Sequence, residues 1–224
     1  MTITVHHLNN SRSQRVLWLL EELGLPYAVK RYERNAKTML APPELKAVHP
    51  LGKSPVITEG AATVAESGAI LEYLLDRAGD SPLRPSAGTP EHLRYRYWLH
   101  YAEGSAMTPL LLKLIFGRIP SQPMPFFVRP VARAIAGGAL KNFVDPQVQL
   151  HLDYLEGELG RSTWFAGETF TAADIQMSFP LEAAAARGGL DARYPKLGAF
   201  LQRIHARPAY ARALEAGGPY ELMR

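Results

Sequence analysis

The stretch His49-Pro50-Leu51-Gly52-Lys53-Ser54-Pro55-Val56-Ile57 decides how the first half of the chain is read. A glycine-containing turn runs into Ser54-Pro55 and then straight into apolar residues, so the proline marks a rigid bend at the entry to a strand. Only X-Pro bonds reach the cis form at modest cost, which makes Ser54-Pro55 a candidate cis bond and exposes the backbone N–H and C=O of Ser54. This is read as an edge that binds an extended peptide. Glu66-Ser67 follows just before the amphipathic run Ala69 to Leu75. The first N–H groups of a helix have no partner within it, so a carboxylate and a hydroxyl placed there can hold both ends of a small zwitterion.

Outward from this segment, Ile3 to Leu8 reads as a strand bounded by Asn9-Asn10. Gln14 to Leu23 carries Val16, Leu17, Leu19, Leu20 and Leu23 at helical spacing and stops at Gly24 and Pro26. Tyr27 to Tyr32 is a second strand, and Pro43 to Val48 a short helix or turn. Pro55 to Thr58 and Ala62 to Val64 form a hairpin around Glu59-Gly60, with the helix Ala69 to Leu75 closing the unit. Pro, Gly and Ser then concentrate between Gly79 and Pro90, which divides the chain into residues 1–79, a linker over 80–90, and residues 91–224. The second part is helical throughout: Glu91 to Ile115, Phe127 to Ala136, Val144 to Gly160, Ala172 to Ala186, Tyr194 to Ala206 and Pro208 to Ala216. The Pro-rich stretch Ile119 to Pro130 interrupts it, as a loop beside a ligand pocket or as a long connection.

Composition narrows the function. With 224 residues and 47% hydrophobic content the chain can build one large or two small cores, and no run reaches the ~20 apolar residues of a membrane span. The N-terminal residues lack the basic and long apolar regions of a secretory signal, so a cytoplasmic protein with no membrane partner is expected. There is no cysteine, hence no disulfide framework, and the sulfur of any thiol reaction must arrive with a ligand. The formal charge of +4 is dispersed and comes without a recognition motif, so nucleic acid is not expected as a partner. Arg94, Arg96, Lys113, Arg118, Arg129, Arg133 and Lys141 make the middle of the chain basic, either as solvated helix faces or as a mild field for anionic ligands. His6 and His7 are neighbours on a strand and face opposite ways, so they do not ligate one metal together, and no metal is expected.

The turn containing Ser11-Arg12-Ser13-Gln14-Arg15-Val16, the His49 to Val56 segment, Glu66-Ser67 and Phe170-Thr171-Ala172-Ala173-Asp174 resemble, in order and spacing, the cytosolic glutathione transferases. The resemblance implies an α/β plus all-α architecture: a thioredoxin-like N-terminal domain that binds glutathione, then an all-helical C-terminal domain that contributes the site for a hydrophobic electrophile. It also implies a homodimer. Two residues depart from the commonest family pattern: His49 stands where Asn is frequent, and Ser54 replaces a small apolar residue. Both leave the affinity for glutathione open.

Glutathione attacks electrophiles only as the thiolate, and a reference thiol has a pKa of about 8.5. Lowering it by two units requires about 2.7 kcal/mol of differential stabilisation, from a donor aimed at the sulfur beside a helix N-terminus. The first turn offers Asn9, Asn10, Ser11 and Ser13. Resemblance to the serine-type transferases, in which the activating hydroxyl stands four residues before an Arg-Val pair, points to Ser11. Ser13 and Asn10 remain alternatives, as does a hydroxyl that only caps the helix. The resemblance further implies that Glu66 takes the γ-glutamyl ammonium, Ser67 its carboxylate, Ser54 before Pro55 the cysteinyl backbone, and Lys53 the glycine carboxylate. Lys53 can equally be an exposed loop lysine. His100, Tyr101, Ser105 and Met107 fall within reach of one another at helical spacing, as an electrophile-pocket face or as core packing. Thr171-Ala172-Ala173-Asp174 has the form of a capping box with Phe170 as its staple, which keeps Asp174 out of the chemistry. The expected activity is conjugation of glutathione to an electrophile, with reduction of organic hydroperoxides as a companion. A glutathione-dependent isomerase or dehalogenase, and a non-enzymatic glutathione-binding or chaperone-like module, are the other readings of the same residues.

Overall fold

The computed structural model describes residues 2–187 and 189–222. Its first part is a four-stranded sheet in the order β2-β1-β3-β4, with β1 (Ile3–Leu8), β2 (Tyr27–Tyr32), β3 (Val56–Glu59) and β4 (Ala62–Ala65). β1 pairs parallel with β2 and antiparallel with β3, and β3 and β4 form the expected hairpin. The parallel pair needs a crossover, supplied by α1 (Ser13–Leu23), which ends on Gly24 in the left-handed conformation at φ 65°. The short α2 (Pro43–Val48) precedes the Ser54-Pro55 bond, which is cis. α3 (Ser67–Ala78) completes this thioredoxin-like unit.

The second part opens with α4 (Pro90–Tyr101), whose first turn is capped by the Thr89 hydroxyl accepting from the His92 N–H at 3.2 Å. α4 continues through a π turn, Ala102–Ala106, into α5 (Met107–Arg118). After the Pro-rich connection come α6 (Arg129–Ala139), a second π turn at Leu140–Val144, and α7 (Asp145–Leu159). The pattern of residues leaves a gap over 137–143, where two glycines break the periodicity; the structure carries the helix through it, because Val144 is fully buried and Leu140 packs against the core. α8 (Ala172–Ala186), α9 (Pro195–His205) and α10 (Pro208–Gly217) finish the fold.

Two helices are buried on nearly all sides and join the parts. α1 packs on the sheet, on α3, and on α8 and α10, which is why Val16, Leu17, Trp18, Leu19 and Leu20 are all buried. Trp18 meets Tyr210 edge-on at 5.1 Å and Phe170 at 5.7 Å. Gly217 permits the close seating of α10: a Cβ there would stand 2.8 Å from Gln14 Oε1. α8 is anchored by Asp174, whose carboxylate accepts the N–H groups of Phe165 (2.9 Å) and Thr171 (2.8 Å) and the Thr171 hydroxyl (3.1 Å).

Candidate active site

A cleft of about 1060 Å³ opens between the two parts. Its walls on the sheet side are the turn after β1, the segment from Thr38 to Pro55, and Ala65 to Ser67; on the helical side they include Glu103, Met107, Leu111, Leu114, Phe179 and Arg187. Lys53, Ser54, Pro55, Glu66, Ser67 and Met107 all stand on these walls, as does Asn10. The cis bend fixes Ser54 at the rim. Its hydroxyl donates to the His6 carbonyl at 3.0 Å and accepts the Leu8 N–H at 3.3 Å, which ties the bend to the end of β1.

Glu66 sits at φ 70° immediately before α3, an unusual backbone for a residue with a side chain, and its own side chain is exposed. Ser67 is buried in the first turn. Its hydroxyl oxygen accepts from Arg15 Nη2 and from Gln176 Nε2, each at 3.1 Å. With both lone pairs engaged, the Ser67 proton remains to be donated, which suits an incoming carboxylate beside the free N–H groups of a helix start. Arg15 is 1% exposed and is spread over three partners: the Gln176 carbonyl (2.6 Å), Ser67, and Glu103 (2.5 Å). Burial raises the Glu103 carboxyl, but Arg15 and Arg12 outweigh it and hold it below the usual range. Arg15, Glu103 and Gln176 escape a reading by motif. The signal available is a lone cation in the apolar run of α1 and a lone amide in that of α8.

The turn residues divide. Ser11 is 4% exposed and its hydroxyl turns inward: it lies 2.7 Å from the Ser13 hydroxyl and 3.4 Å from that of Ser54, and accepts the Ser13 N–H at 3.3 Å. Ser13 in turn meets His7 Nδ1 at 2.9 Å. Burial, then the charge of Arg31, hold the His7 imidazole down at about 4, so it is neutral at neutral pH. His6 faces the other way, to Tyr32 (2.9 Å) and Thr58 (3.2 Å). Asn10 is at φ 50° and reaches the cleft; its Oδ1 accepts the Glu221 N–H at 2.7 Å, and among the described residues the two N–H donors of its amide have no partner.

Three of the four helical residues named from spacing do not reach the cleft. His100 is exposed, Tyr101 is buried with its hydroxyl bonded to His151 on α7, and Ser105 is half-buried. The π turn explains this: in an unbroken α-helix His100 shares a face with Met107 two turns on, but the added residue rotates the segment before it away. Glu103, Met107, Leu111 and Leu114 form the stripe that faces the cleft instead.

A thioredoxin-like unit with a cis-Pro edge, an acidic-hydroxyl helix start and an interlocked helical domain defines a class, and the comparisons agree. The chain matches the glutathione S-transferase N-terminal domain over residues 11–77 and the C-terminal domain over residues 122–208. The chain belongs to the glutathione S-transferase family and is an enzyme of that class. It is 36% identical over 213 residues to glutathione S-transferase 3 of Schizosaccharomyces pombe, covering 95% of this chain and 87% of that protein. It is 34% identical over 221 residues to glutathione S-transferase 1 of Saccharomyces cerevisiae, covering 95% and 94%. The crystal structure of a glutathione S-transferase from Actinobacillus pleuropneumoniae superposes with a TM-score of 0.80 at 34% identity, covering 99% and 95%.

Proposed function

We propose that the enzyme binds glutathione extended along Ser54, with the γ-glutamyl ammonium at Glu66, its carboxylate at Ser67 and the α3 N-terminus, and the glycine carboxylate near Lys53. Ser54 is bonded to Leu8 and lies beside Ser11, so a cysteinyl residue paired with its main chain sets the sulfur over the turn that follows β1. In this reading the Asn10 amide is the side-chain donor that stabilises the thiolate, and Ser11 and Ser13 brace the turn from behind. The carrying observation is the Asn10 carboxamide at the cleft wall with its oxygen occupied and its N–H groups without a partner among the described residues. The thiolate then attacks a hydrophobic electrophile lying against Met107, Leu111, Leu114 and Phe179. A C–S bond forms, and a leaving group departs with its electron pair. Organic hydroperoxides are tested as a second substrate class, with cumene hydroperoxide.

The homodimer belongs to the same reading. Leu93 on α4 and Leu150 on α7 are 71% and 60% exposed, apolar side chains that a second copy would cover in this reading. Light scattering on the eluted protein reports the mass.

Ultraviolet difference titration of bound glutathione tests the thiol assignment. A thiolate band near neutral pH that weakens in Asn10→Ala and persists in Ser11→Ala supports it. The opposite pattern returns the role to the Ser11 hydroxyl.

A further inference from the structure

The electrophile end of the cleft contains a cation with no acidic partner among the described residues. Arg187 follows the last residue of α8 and lines the cleft. Its Nε and Nη1 are buried and have no hydrogen-bond partner, and no ion pair reaches its guanidinium among the described residues. The nearest acidic wall residue on the helical side, Glu103, is already committed to Arg12 at 3.0 Å and Arg15 at 2.5 Å. A guanidinium taken out of water without a partner is a net cost to the fold, and here the charges of Arg118 and Arg12 add to it; burial, then these two charges, lower its pKa. The helical wall of the cleft also carries the apolar side chains Met107, Leu111, Leu114 and Phe179.

We infer that Arg187 receives a carboxylate carried by the electrophile, so that the preferred second substrates are apolar molecules with an anionic end. This rests on the transferase reading above and names the substrate class of its second site. The planar fork of Arg suits a carboxylate in bidentate contact, and the partly dry setting strengthens that contact relative to water. A half-buried cation without a partner, with the like charges of Arg118 and Arg12 nearby, also discriminates against neutral analogues, which leave it unsatisfied. With an aryl halide the bookkeeping is simple: the glutathione sulfur forms the C–S bond, the C–Cl bond breaks, chloride leaves with the electron pair, and the carboxylate takes no part in the bond changes.

The test compares 4-chloro-3-nitrobenzoate with its neutral counterpart 4-chloro-3-nitrobenzamide, both with glutathione, in the wild type and in Arg187→Gln and Arg187→Lys. The quantity read is the acid-to-amide ratio of kcat/KM, in which the intrinsic reactivity of each acceptor cancels between variants. The expected result is a ratio lowered about 10- to 100-fold in Arg187→Gln, through KM more than kcat, and partly restored in Arg187→Lys. Conjugation of both acceptors with the same ratio in all three proteins overturns the inference and leaves the transferase reading standing. Failure of the wild type to conjugate either acceptor overturns both.

Discussion

Asn10 Oδ1 accepts the backbone N–H of Glu221 at 2.7 Å, so the last described segment of the chain holds a side chain that lines the cleft. The bond fixes which way the carboxamide points, because only its oxygen can accept. Tyr220, next to it, is tied to α8 through its hydroxyl on Glu182 at 2.7 Å. Glu221→Pro removes the N–H and leaves the cleft walls in place. We expect the bound thiol of this variant to titrate higher than in the wild type, by up to about one unit, as in Asn10→Ala. Spectroscopic titration of the thiolate reads it; an unmoved titration in Glu221→Pro with a raised one in Asn10→Ala would show that Asn10 needs no support from the tail.

Gln176 reaches Ser67 from the helical domain and shares its carbonyl with Arg15. Gln176→Leu keeps the volume but deprives Ser67 of one donor, and the hydroxyl loses part of its fixed orientation. The dissociation constant for glutathione should rise about 3- to 10-fold, on the order of 1 kcal/mol, measured by calorimetry. No change would mean that the α3 N–H groups carry the carboxylate alone.

His7 sets an acid limit on stability. Its folded-state value of about 4 lies below the ordinary 6.5, so the unfolded chain takes up a proton first as the pH falls. The contribution is therefore intact above about pH 6.5 and is lost progressively down to about pH 4. The loss is on the order of 3 kcal/mol, if no other group compensates. His7→Asn retains a partner for Ser13 and cannot titrate. Urea midpoints for this variant should depend less on pH across that window than those of the wild type, and parallel curves would refute the assignment.

Asp174 satisfies three donors from inside the protein and is fully buried. Asp174→Ala leaves two N–H groups and a hydroxyl unpaired, so the cost should exceed the ~1 kcal/mol of an exposed cap and approach ~3 kcal/mol or more. Chemical denaturation gives the value. Asp174→Asn, which still accepts through its carbonyl oxygen, should recover part of it.

The legible parts of this protein share one physical property: their signals are local. The Ser54-Pro55 bond is a cis candidate because of the proline, the hairpin comes from Gly60 between two apolar runs, one residue later than the expected Glu59-Gly60 turn because Glu59 pairs with Ala62, and the α8 cap comes from Thr171 and Asp174 three residues apart. Glu66-Ser67 could be placed at a helix start because the periodic run after it begins at once. Through their resemblance in order and spacing to the glutathione transferases, these residues implied the thioredoxin-like unit and the helical second part that the fold shows.

Other features depend on chain segments that meet only when folded. Arg15 is 161 residues from the carbonyl it holds, and Asn10 is 211 residues from the N–H that orients it. No periodicity records such pairs, because each depends on how α1, α8 and the tail are docked. The electrophile wall shows the same limit within one helix: ideal spacing puts His100 on the face of Met107, and a single π turn separates them. The sequence by itself determined most of the elements and their order, since these follow from local backbone preference and pattern. Only the tertiary structure decided that Asn10 reaches the cleft while Ser11 turns inward, and that Arg187 on the opposite wall has no ion-pair partner among the described residues. Burial and partner choice are properties of the packed interface between the two parts.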